Sequence, residues 1–328
     1  MKRQHLIIAI LTVLTLITYG QTNSGISVKP DQIYGYKFGM AMTFDVYNPS
    51  NNNGAAVLYI SSGGYNSGLV RQYEKGGDGK LNFMPIANWP KNLPVLLAEQ
   101  YSFEKLLAAG FTVIDIRHGS SPKFTIDEIF EDCTRAIRYI KFHAKEYAID
   151  IERLGLWGGS AGGHLALLSA YHVVKGKTEY KDVIGCFELN GLTTPELEVS
   201  SNVKTVGVYY PAGYDLAGDV IKFPQVLKSM PAMNVDNKVL DSLSIKNYIT
   251  ANNPPTLIIY GDKDFPFIIE PSKNVAADLE KNKVEVKSVV IPNVGHEFKG
   301  ADGSYKDAKP GQFAMNELVE WFKKQLKK

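Results

Sequence analysis

Apolar, strand-like runs alternate with helix-length segments over most of the chain. The first runs of this kind are Ala55 to Ile60 and Phe111 to Ile116, with a helix-length segment from Val95 to Ala109 between them. The alternation continues with a helix over 126–147, a strand over 154–157, a helix over 162–173 and a strand over 183–189. Strands that are buried on both faces have near-continuous apolar sequences. The pattern therefore predicts an α/β fold with a mostly parallel central sheet and helices on both faces.

Two segments interrupt this alternation. Met42 to Tyr47 alternates apolar and polar residues and leads into an Asn/Gly-rich turn over 48–54, which is the pattern of an antiparallel strand. Residues from about 192 to 249 form a polar stretch that is rich in Tyr, Pro and Gly. We interpret this stretch as an insertion, or lid-like segment, before the next core strand at Pro255 to Tyr260.

The C-terminal part of the sequence predicts a final helix, strand and helix, over 272–279, 284–291 and 312–326. The last helix carries an apolar stripe made of Phe313, Leu318, Trp321 and Phe322. No internal repeat or flexible linker divides the sequence. Residues 21–328 are therefore expected to form a single domain.

The N-terminus has the three parts of a secretory signal peptide. Lys2 and Arg3 give a charged start, Leu6 to Thr18 is almost uninterrupted by polar residues, and a small residue, Gly20, marks a cleavage site. The apolar run is shorter than the ~20 residues that a membrane-spanning helix needs. We expect a signal peptide over 1–20, a secreted or periplasmic protein, and no membrane span in the mature chain.

Charge and cysteine content exclude several classes of protein. The chain has 36 Lys and Arg against 34 Asp and Glu, and removal of Lys2 and Arg3 leaves 34 of each. A formally neutral mature chain lacks the basic surface that nucleic acid requires. The two cysteines, Cys133 and Cys186, make neither a metal-binding spacing nor a disulfide framework, and no phosphate-binding loop is present. We expect no metal, no cofactor and no nucleic-acid partner, and oligomeric state is not readable from the pattern.

The most informative motif is Gly158-Gly159-Ser160-Ala161-Gly162, which lies directly between a predicted strand and a predicted helix. A serine hydroxyl is a weak nucleophile until a base takes its proton, so it must project from the sheet to where a histidine can reach it. The sharp turn that exposes the serine leaves no room for side chains at the flanking positions, which explains the glycines. The context predicts that Ser160 is a catalytic nucleophile.

Two later strand ends supply partners in the order nucleophile, acid, histidine, which this kind of turn requires. The strand over 257–260 is followed by Asp262 and Asp264, and the strand over 284–291 by His296. His296 is expected to act as general base, with an aspartate that orients its ring and stabilises the imidazolium. Asp264 lies further into its loop and is the favoured acid, while Asp262 is the alternative and otherwise a loop-stabilising residue.

An acyl-transfer site also needs donors for the oxyanion. Gly63 and Gly64 end the first parallel strand, and Ala161 follows the nucleophile. The backbone amides of these three residues are the expected oxyanion hole.

These residues resemble the α/β-hydrolase esterases of the hormone-sensitive-lipase and feruloyl-esterase-like type, with prolyl-oligopeptidase-like neighbours. The matching segments are 44–49, 62–65, 115–122, 158–164, 254–264 and 295–296. The resemblance implies an α/β-hydrolase fold and cofactor-free hydrolysis of carboxylic esters through an acyl-enzyme on Ser160. It departs at Ser61 and Ser62, where the family usually has His-Gly. Because backbone amides hold the oxyanion, we expect the hole to survive this change.

The motifs define the reaction chemistry more closely than they define the substrate. Tyr65, Trp89 and Tyr210 are candidate pocket residues, whereas His118 and His164 are expected to pack or hydrogen-bond rather than catalyse. The preferred hypothesis is an exported esterase that acts on a small-molecule or polysaccharide-linked ester, either a carbohydrate ester or an aryl ester. The alternatives are a prolyl-oligopeptidase-like peptidase and a catalytically silent binding protein on the same fold.

Overall fold

The computed structural model describes residues 25–67, 73–84, 97–174, 198–300, 302–305 and 307–328. The strands in these residues are β1 (Ile26–Lys37), β2 (Met40–Pro49), β3 (Ala56–Ile60), β4 (Tyr73–Lys75), β5 (Leu81–Phe83), β6 (Thr112–Arg117), β7 (Leu154–Gly159), β8 (Thr205–Tyr209), β9 (Thr256–Gly261) and β10 (Val286–Ile291). The α-helices are α1 (Leu97–Ala108), α2 (Ile126–Phe142), α3 (Ala161–Tyr171), α4 (Leu216–Lys222), α5 (Pro224–Leu227), α6 (Asn237–Ser242), α7 (Pro266–Lys281) and α8 (Lys309–Gln325).

One sheet organises the described part of the chain, with eight strands in the order β1-β2-β6-β3-β7-β8-β9-β10. The six strands from β6 to β10 in this order pair in parallel, while β2 pairs antiparallel with both β1 and β6. The predicted mostly parallel α/β sheet is therefore confirmed. The early alternating segment is the antiparallel strand β2, as its pattern indicated.

The central strands are buried throughout, which explains their continuous apolar sequences. Every residue of β3, β7, β8 and β9 is buried. The helices α1 and α8 pack against one another, and α2 packs against α3. A parallel sheet has its carboxyl ends at one edge, so the segments that follow β3, β7, β8, β9 and β10 meet there.

The prediction of an uninterrupted insertion over 192–249 is wrong in its first part. Residues 205–209 form β8, which lies between β7 and β9 in the main sheet. The strand is only five residues long and contains Gly207, so its pattern merged with the Gly- and Tyr-rich sequence that follows. Gly207 is required by packing, because a β-carbon there would lie 2.7 Å from Leu318 Cδ1. The segment that covers the carboxyl edge begins at Tyr210 and contains α4, α5 and α6.

Two helix predictions also differ from the structure. The helix predicted from Ser272 begins at Pro266 and continues through Pro271. Pro271 therefore lies inside this helix, although proline in a helix interior removes a hydrogen bond. In α8, Leu318, Trp321 and Phe322 are buried as expected, but Phe313 is 47% exposed. Phe313 lies about 140° around the helix from Leu318 at 100° per residue, and Ala314 takes the inward position instead.

Some predictions fall outside the described residues. These are the signal peptide over 1–20, the strand over 183–189, Cys186 and Trp89. Cys133 is a buried free thiol in α2, where a free cysteine behaves as a small apolar residue. None of the helices in the described residues has the length and hydrophobicity needed to cross a membrane.

We expect Gly155→Ala to lower the free energy of unfolding by about 1–3 kcal/mol, the usual effect of overpacking a core. A β-carbon at Gly155 would lie 2.4 Å from Cε1 of Phe322, which is fully buried. Urea unfolding followed by circular dichroism measures the change. Gly77→Ala is the matched control, because no atom of the described residues lies within 4 Å of its β-carbon position. Equal unfolding midpoints for the wild type and Gly155→Ala would contradict this account of packing between β7 and α8.

Candidate active site

Ser160 lies in a strained turn between β7 and α3. Its φ is +53° and its ψ is −120°, a backbone conformation that residues other than glycine rarely adopt. A β-carbon at Gly158 would lie 2.4 Å from the Gly162 carbonyl oxygen, and one at Gly162 would lie 2.5 Å from the Ile60 carbonyl oxygen. The glycines are therefore needed for a backbone approach that side chains would prevent. The turn projects the serine from the carboxyl end of β7.

Ser160, His296 and Asp264 form a continuous hydrogen-bonded chain. The Ser160 hydroxyl oxygen lies 3.0 Å from Nε2 of His296. Nδ1 of His296 lies 3.0 and 3.1 Å from the two carboxylate oxygens of Asp264. With Nδ1 protonated, His296 donates to the carboxylate and Nε2 accepts from the serine. This arrangement is the geometry of a serine nucleophile with its base and orienting acid.

The two aspartates after β9 have different partners. Asp264 is the one that reaches His296; its side chain is fully buried and also accepts a hydrogen bond of 2.7 Å from the Phe265 amide. Asp262 instead accepts a hydrogen bond of 2.7 Å from the Asn293 amide. Asp262 therefore ties the loop after β9 to the loop that carries the histidine. Both aspartates help to place His296, Asp264 by direct contact and Asp262 through the backbone of the loop.

The predicted oxyanion residues are not equivalent. The Gly63 amide donates to the Asn66 carbonyl at 2.9 Å, so it is already engaged. The amides of Gly64 and Ala161 have no hydrogen-bond acceptor among the described residues, and both residues line the same cavity as Ser160. Gly64 has a φ of +56°, which favours glycine. The expected three-amide hole is thus reduced to Gly64 and Ala161, because the tight turn over 63–66 uses the amide of Gly63.

The Ser61-Ser62 pair is held by its backbone carbonyls. The Ser62 carbonyl accepts a hydrogen bond of 3.1 Å from the Gly162 amide, and the Ser61 carbonyl accepts one of 3.1 Å from the Ser67 hydroxyl. The Ser62 hydroxyl is buried and has no partner in the described residues. The loop after β3 is therefore fixed to the nucleophile turn without the histidine that usually precedes the glycine pair.

His118 and His164 are both buried and lie outside the Ser160–His296–Asp264 chain. His164 accepts from the Tyr65 hydroxyl at Nδ1 (3.1 Å) and donates from Nε2 to the Leu243 carbonyl (2.9 Å). His118 donates from Nδ1 to the Gly119 carbonyl (2.6 Å). Burial lowers the pKa of each to about 4, so both are neutral at pH 7. His164 thereby connects the loop after β3 to the segment that covers the site.

A cavity of about 300 Å³ opens at Ser160. Tyr65 and Tyr210, two of the predicted pocket residues, line it, and the third, Trp89, lies outside the described residues. Sequence reasoning missed most of the remaining wall. Its apolar part comes from the covering segment and the start of α7, and includes Leu216, Leu227, Met230, Phe265, Phe267 and Ile268. Phe265 and Phe267 lie just after Asp264 in the sequence, and this position is a signal for pocket residues. The direction in which their side chains point depends on α7 starting at Pro266.

The cavity lining contains two carboxylates that the sequence analysis did not single out, Asp219 and Glu297, and Glu297 is held by Tyr305 and Lys299. Asp219, on α4, lines the cavity together with Ser160 and His296. Its surroundings raise its pKa to about 6, first through burial and then through the nearby charge of Asp215. As for metals, no group of three or more His, Cys, Asp or Glu side chains within the described residues is placed to hold an ion.

The sheet order, the turn at Ser160 and its two partners define an α/β-hydrolase with a serine–histidine–aspartate site. A family model described as BD-FAE matches residues 97–279, which is more than half of the chain. The chain belongs to the BD-FAE family. A second model, for the dienelactone hydrolase family, matches residues 243–326.

Two relatives align with this chain over different shares of their own length. Ethyl acetate hydrolase of Pseudomonas putida is 24% identical over 287 residues, covering 86% of this chain and 79% of that protein. Probable carboxylic ester hydrolase LipM of Mycobacterium tuberculosis is 25% identical over 198 residues, covering 59% of this chain and 43% of that protein. The chain thus spans most of the first relative and less than half of the second.

Solved structures share the fold. A truncated form of a carbohydrate esterase from gut microbiota superposes with a TM-score of 0.65 at 22% identity, covering 94% of this chain and 99% of that one. Thermogutta terrifontis esterase 2 phosphorylated by paraoxon gives a TM-score of 0.62 at 18% identity, covering 93% and 96%. The predicted α/β-hydrolase fold and the resemblance to its esterases are confirmed.

The geometry predicts that Asp264→Asn slows covalent labelling of Ser160 by a fluorophosphonate by about 10³- to 10⁴-fold, because the histidine loses its orienting carboxylate. Asp262→Asn should label at close to the wild-type rate, since asparagine keeps an acceptor for the Asn293 amide. Intact-protein mass spectrometry measures the rate, and Ser160→Ala is the unlabelled control. Slow labelling of Asp262→Asn together with wild-type labelling of Asp264→Asn would reverse the assignment of the acid.

Proposed function

We propose that this chain hydrolyses carboxylic esters through an acyl-enzyme on Ser160. The single observation that carries this proposal is the unbroken hydrogen-bonded chain from Ser160 through His296 to Asp264, which opens into a cavity beside two unengaged backbone amides. The names of the relatives, which include ethyl acetate hydrolase and acetyl esterase, support this enzyme class. The site residues are assigned from geometry.

Acylation begins when the Ser160 oxygen attacks the ester carbonyl carbon while Nε2 of His296 takes the hydroxyl proton. The carbonyl oxygen becomes negatively charged and is bound by the amides of Gly64 and Ala161. Each such donor contributes on the order of 3 kcal/mol to the transition state. Asp264 stabilises the imidazolium, which then gives its proton to the departing alcohol as the carbon–oxygen bond breaks.

Deacylation repeats these steps with water. His296 takes a proton from a water molecule, whose oxygen attacks the acyl carbon, and the same two amides bind the oxyanion. Collapse returns the proton to the Ser160 oxygen and releases the carboxylic acid. The cycle needs only groups of this chain and one water molecule.

We infer a short acyl group or an ester of a single ring as the substrate. A cavity of about 300 Å³ is at the small end of the range for ligand sites. Its walls are mainly apolar and aromatic, which suits an aryl ester or the apolar face of a sugar ring. Among related structures, one is a carbohydrate esterase and another is an acetyl ester-xyloside bifunctional hydrolase. We therefore favour a carbohydrate ester, and the charged and apolar N-terminus supports export of the enzyme.

The two alternatives have less support. A prolyl-oligopeptidase-like peptidase would use the same three residues, but nothing in the cavity lining of the described residues favours a peptide over an ester. A catalytically silent protein would not need Ser160 in a strained conformation within 3.0 Å of His296. Strain of this kind persists where function requires it.

We expect Ser160→Ala to reduce hydrolysis of 4-nitrophenyl acetate and butyrate by at least about 10⁴-fold, because the covalent route is lost. Release of 4-nitrophenol measures the rate. Ser169→Ala is the matched control, since Ser169 lies on α3 and is fully buried away from the cavity lining. Equal rates for the wild type and Ser160→Ala would refute the proposal. Cleavage of proline-containing peptides faster than of either ester would favour the peptidase.

A further inference from the structure

Asp219 carries a nearly buried carboxylate in the wall of the cavity at Ser160. Asp219 is only 5% exposed and lines the cavity at Ser160. In the part of the chain that the structure describes, no hydrogen-bond donor or cation is paired with its side chain. A buried carboxylate without a partner is costly, and proteins rarely keep one unless it has a use.

The charged residues near Asp219 pair with one another and not with its carboxylate, as far as the described residues show. Asp215, one turn earlier, caps α4 through the Gly218 amide at 3.2 Å and pairs with Lys246 at 2.8 Å. Asp215 thus caps the helix and pairs with Lys246, so neither of these interactions is left for Asp219. Lys222 forms an ion pair with Glu270 at 3.6 Å. Among the described residues neither lysine forms an ion pair with Asp219, which lines the cavity.

The surroundings of Asp219 raise its pKa above the usual value. Burial has the largest effect on its pKa, followed by the negative charge of Asp215. Lys222 and Lys246 lower the pKa and Glu270 raises it, with the net result of about 6. The carboxylate is therefore largely ionised at pH 7 and is held in that form at a cost to stability.

The rest of the cavity wall limits what can bind there. Phe265 and Phe267 stack with ring centroids 5.1 Å apart and an interplanar angle of 4°, and both line the cavity with Asp219. The Tyr65 hydroxyl is engaged by His164, and Glu297 by Tyr305 and Lys299. Asp219 is consequently the acidic group on this wall that is not engaged by a neighbour.

We propose that the Asp219 carboxylate accepts a hydrogen bond from a hydroxyl group of the bound ester, and so selects hydroxylated substrates over their deoxygenated analogues. This inference rests on the proposed esterase function. A ligand with an apolar ring face and hydroxyl groups on its rim, as in a sugar ring, matches the stacked aromatic rings and the Asp219 carboxylate together.

A hydroxyl group fits this wall better than an ammonium group does. Moving an ammonium ion into an apolar cavity costs far more than moving a hydroxyl, and one carboxylate offsets that cost only with further hydrogen bonds. The Tyr65 hydroxyl and Glu297 are engaged within the protein and do not offer these hydrogen bonds. A site built to bind a hydroxyl discriminates strongly against the analogue that lacks it, because its own polar group is then left unpaired.

The test compares kcat/KM for esters that differ by one group. One series is cyclohexyl acetate, the cyclohexanediol monoacetates and 4-aminocyclohexyl acetate; the other is 4-nitrophenyl butyrate and 4-nitrophenyl 3-hydroxybutyrate. We expect the wild type to prefer the hydroxylated ester in at least one series. Asp219→Leu should reduce that preference by about tenfold, and Asp219→Asn by less because it keeps a carbonyl acceptor. Glu270→Gln, which removes a nearby charge outside the cavity, should leave the preference unchanged.

The same ratio has a distinctive pH dependence. An acid whose pKa is raised to about 6 carries its charge above that pH, so the hydroxyl preference should rise as pH increases through 6. Because the Ser160 machinery acts on both esters, its own pH dependence cancels in the ratio. The ratio should be independent of pH in Asp219→Asn.

Several outcomes would overturn the inference. These are an absent hydroxyl preference in both series, a preference that Asp219→Asn and Asp219→Leu leave intact, or a dependence on Asp219 confined to the ammonium ester. In each case hydrolysis that still requires Ser160 would leave the proposed function standing. If the wild type hydrolysed none of these esters, the proposed function itself would be refuted.

Thermal stability provides a readout that is independent of activity. The folded-state pKa of Asp219 lies above its usual value, so the folded protein loses stability as pH rises from about 4 to 6. We therefore expect Asp219→Asn to raise Tm at pH 8 and to change it less at pH 4. A lower Tm at pH 8 would mean that a protein group pairs with the carboxylate, which contradicts the proposal.

Discussion

The close backbone approach at Ser160 is the constraint on which the rest of the structure depends. A serine at a φ of +53° is stable only where its surroundings fix it. The Ser160 amide donates to the Tyr209 carbonyl at 3.0 Å, and the Gly162 amide donates to the Ser62 carbonyl at 3.1 Å. The turn is therefore held between the end of β8 and the loop after β3. Nucleophile and oxyanion loop consequently form one rigid unit.

The second requirement is that separate loops deliver the base and the acid to this unit. Asp264 follows β9 and His296 follows β10, two strands that pair in parallel. Asp262 and the Asn293 amide then hold the two loops together at 2.7 Å. Because the loops leave neighbouring strands at the same edge of the sheet, short segments are enough to close the hydrogen-bonded chain. The sheet order thus determines which residues can meet.

Two buried carboxylates in this site contrast in their partners. Asp264 is satisfied by His296 and by the Phe265 amide, so its burial is compensated. Asp219 has no such partner in the part of the chain that the structure describes, and its raised pKa reflects the cost. Proteins commonly give up stability where a site must offer an unpaired polar group to a ligand. The contrast supports the proposed roles, the first carboxylate in catalysis and the second in the recognition of substrate.

Local patterns were sufficient to predict the apolar strands, the turn at Ser160 and the strand ends that carry Asp264 and His296, because each depends on neighbouring residues alone. The strand β8, the start of α7 and the engagement of the Gly63 amide were not predictable in the same way. Each of them is decided by contacts between distant segments, such as Gly207 against Leu318. The sequence by itself determined the fold class and the turn that carries Ser160. Only the tertiary structure decided which amides remain available and which side chains face the substrate, because a hydrogen-bond partner or a cavity wall exists only once remote residues have been packed together.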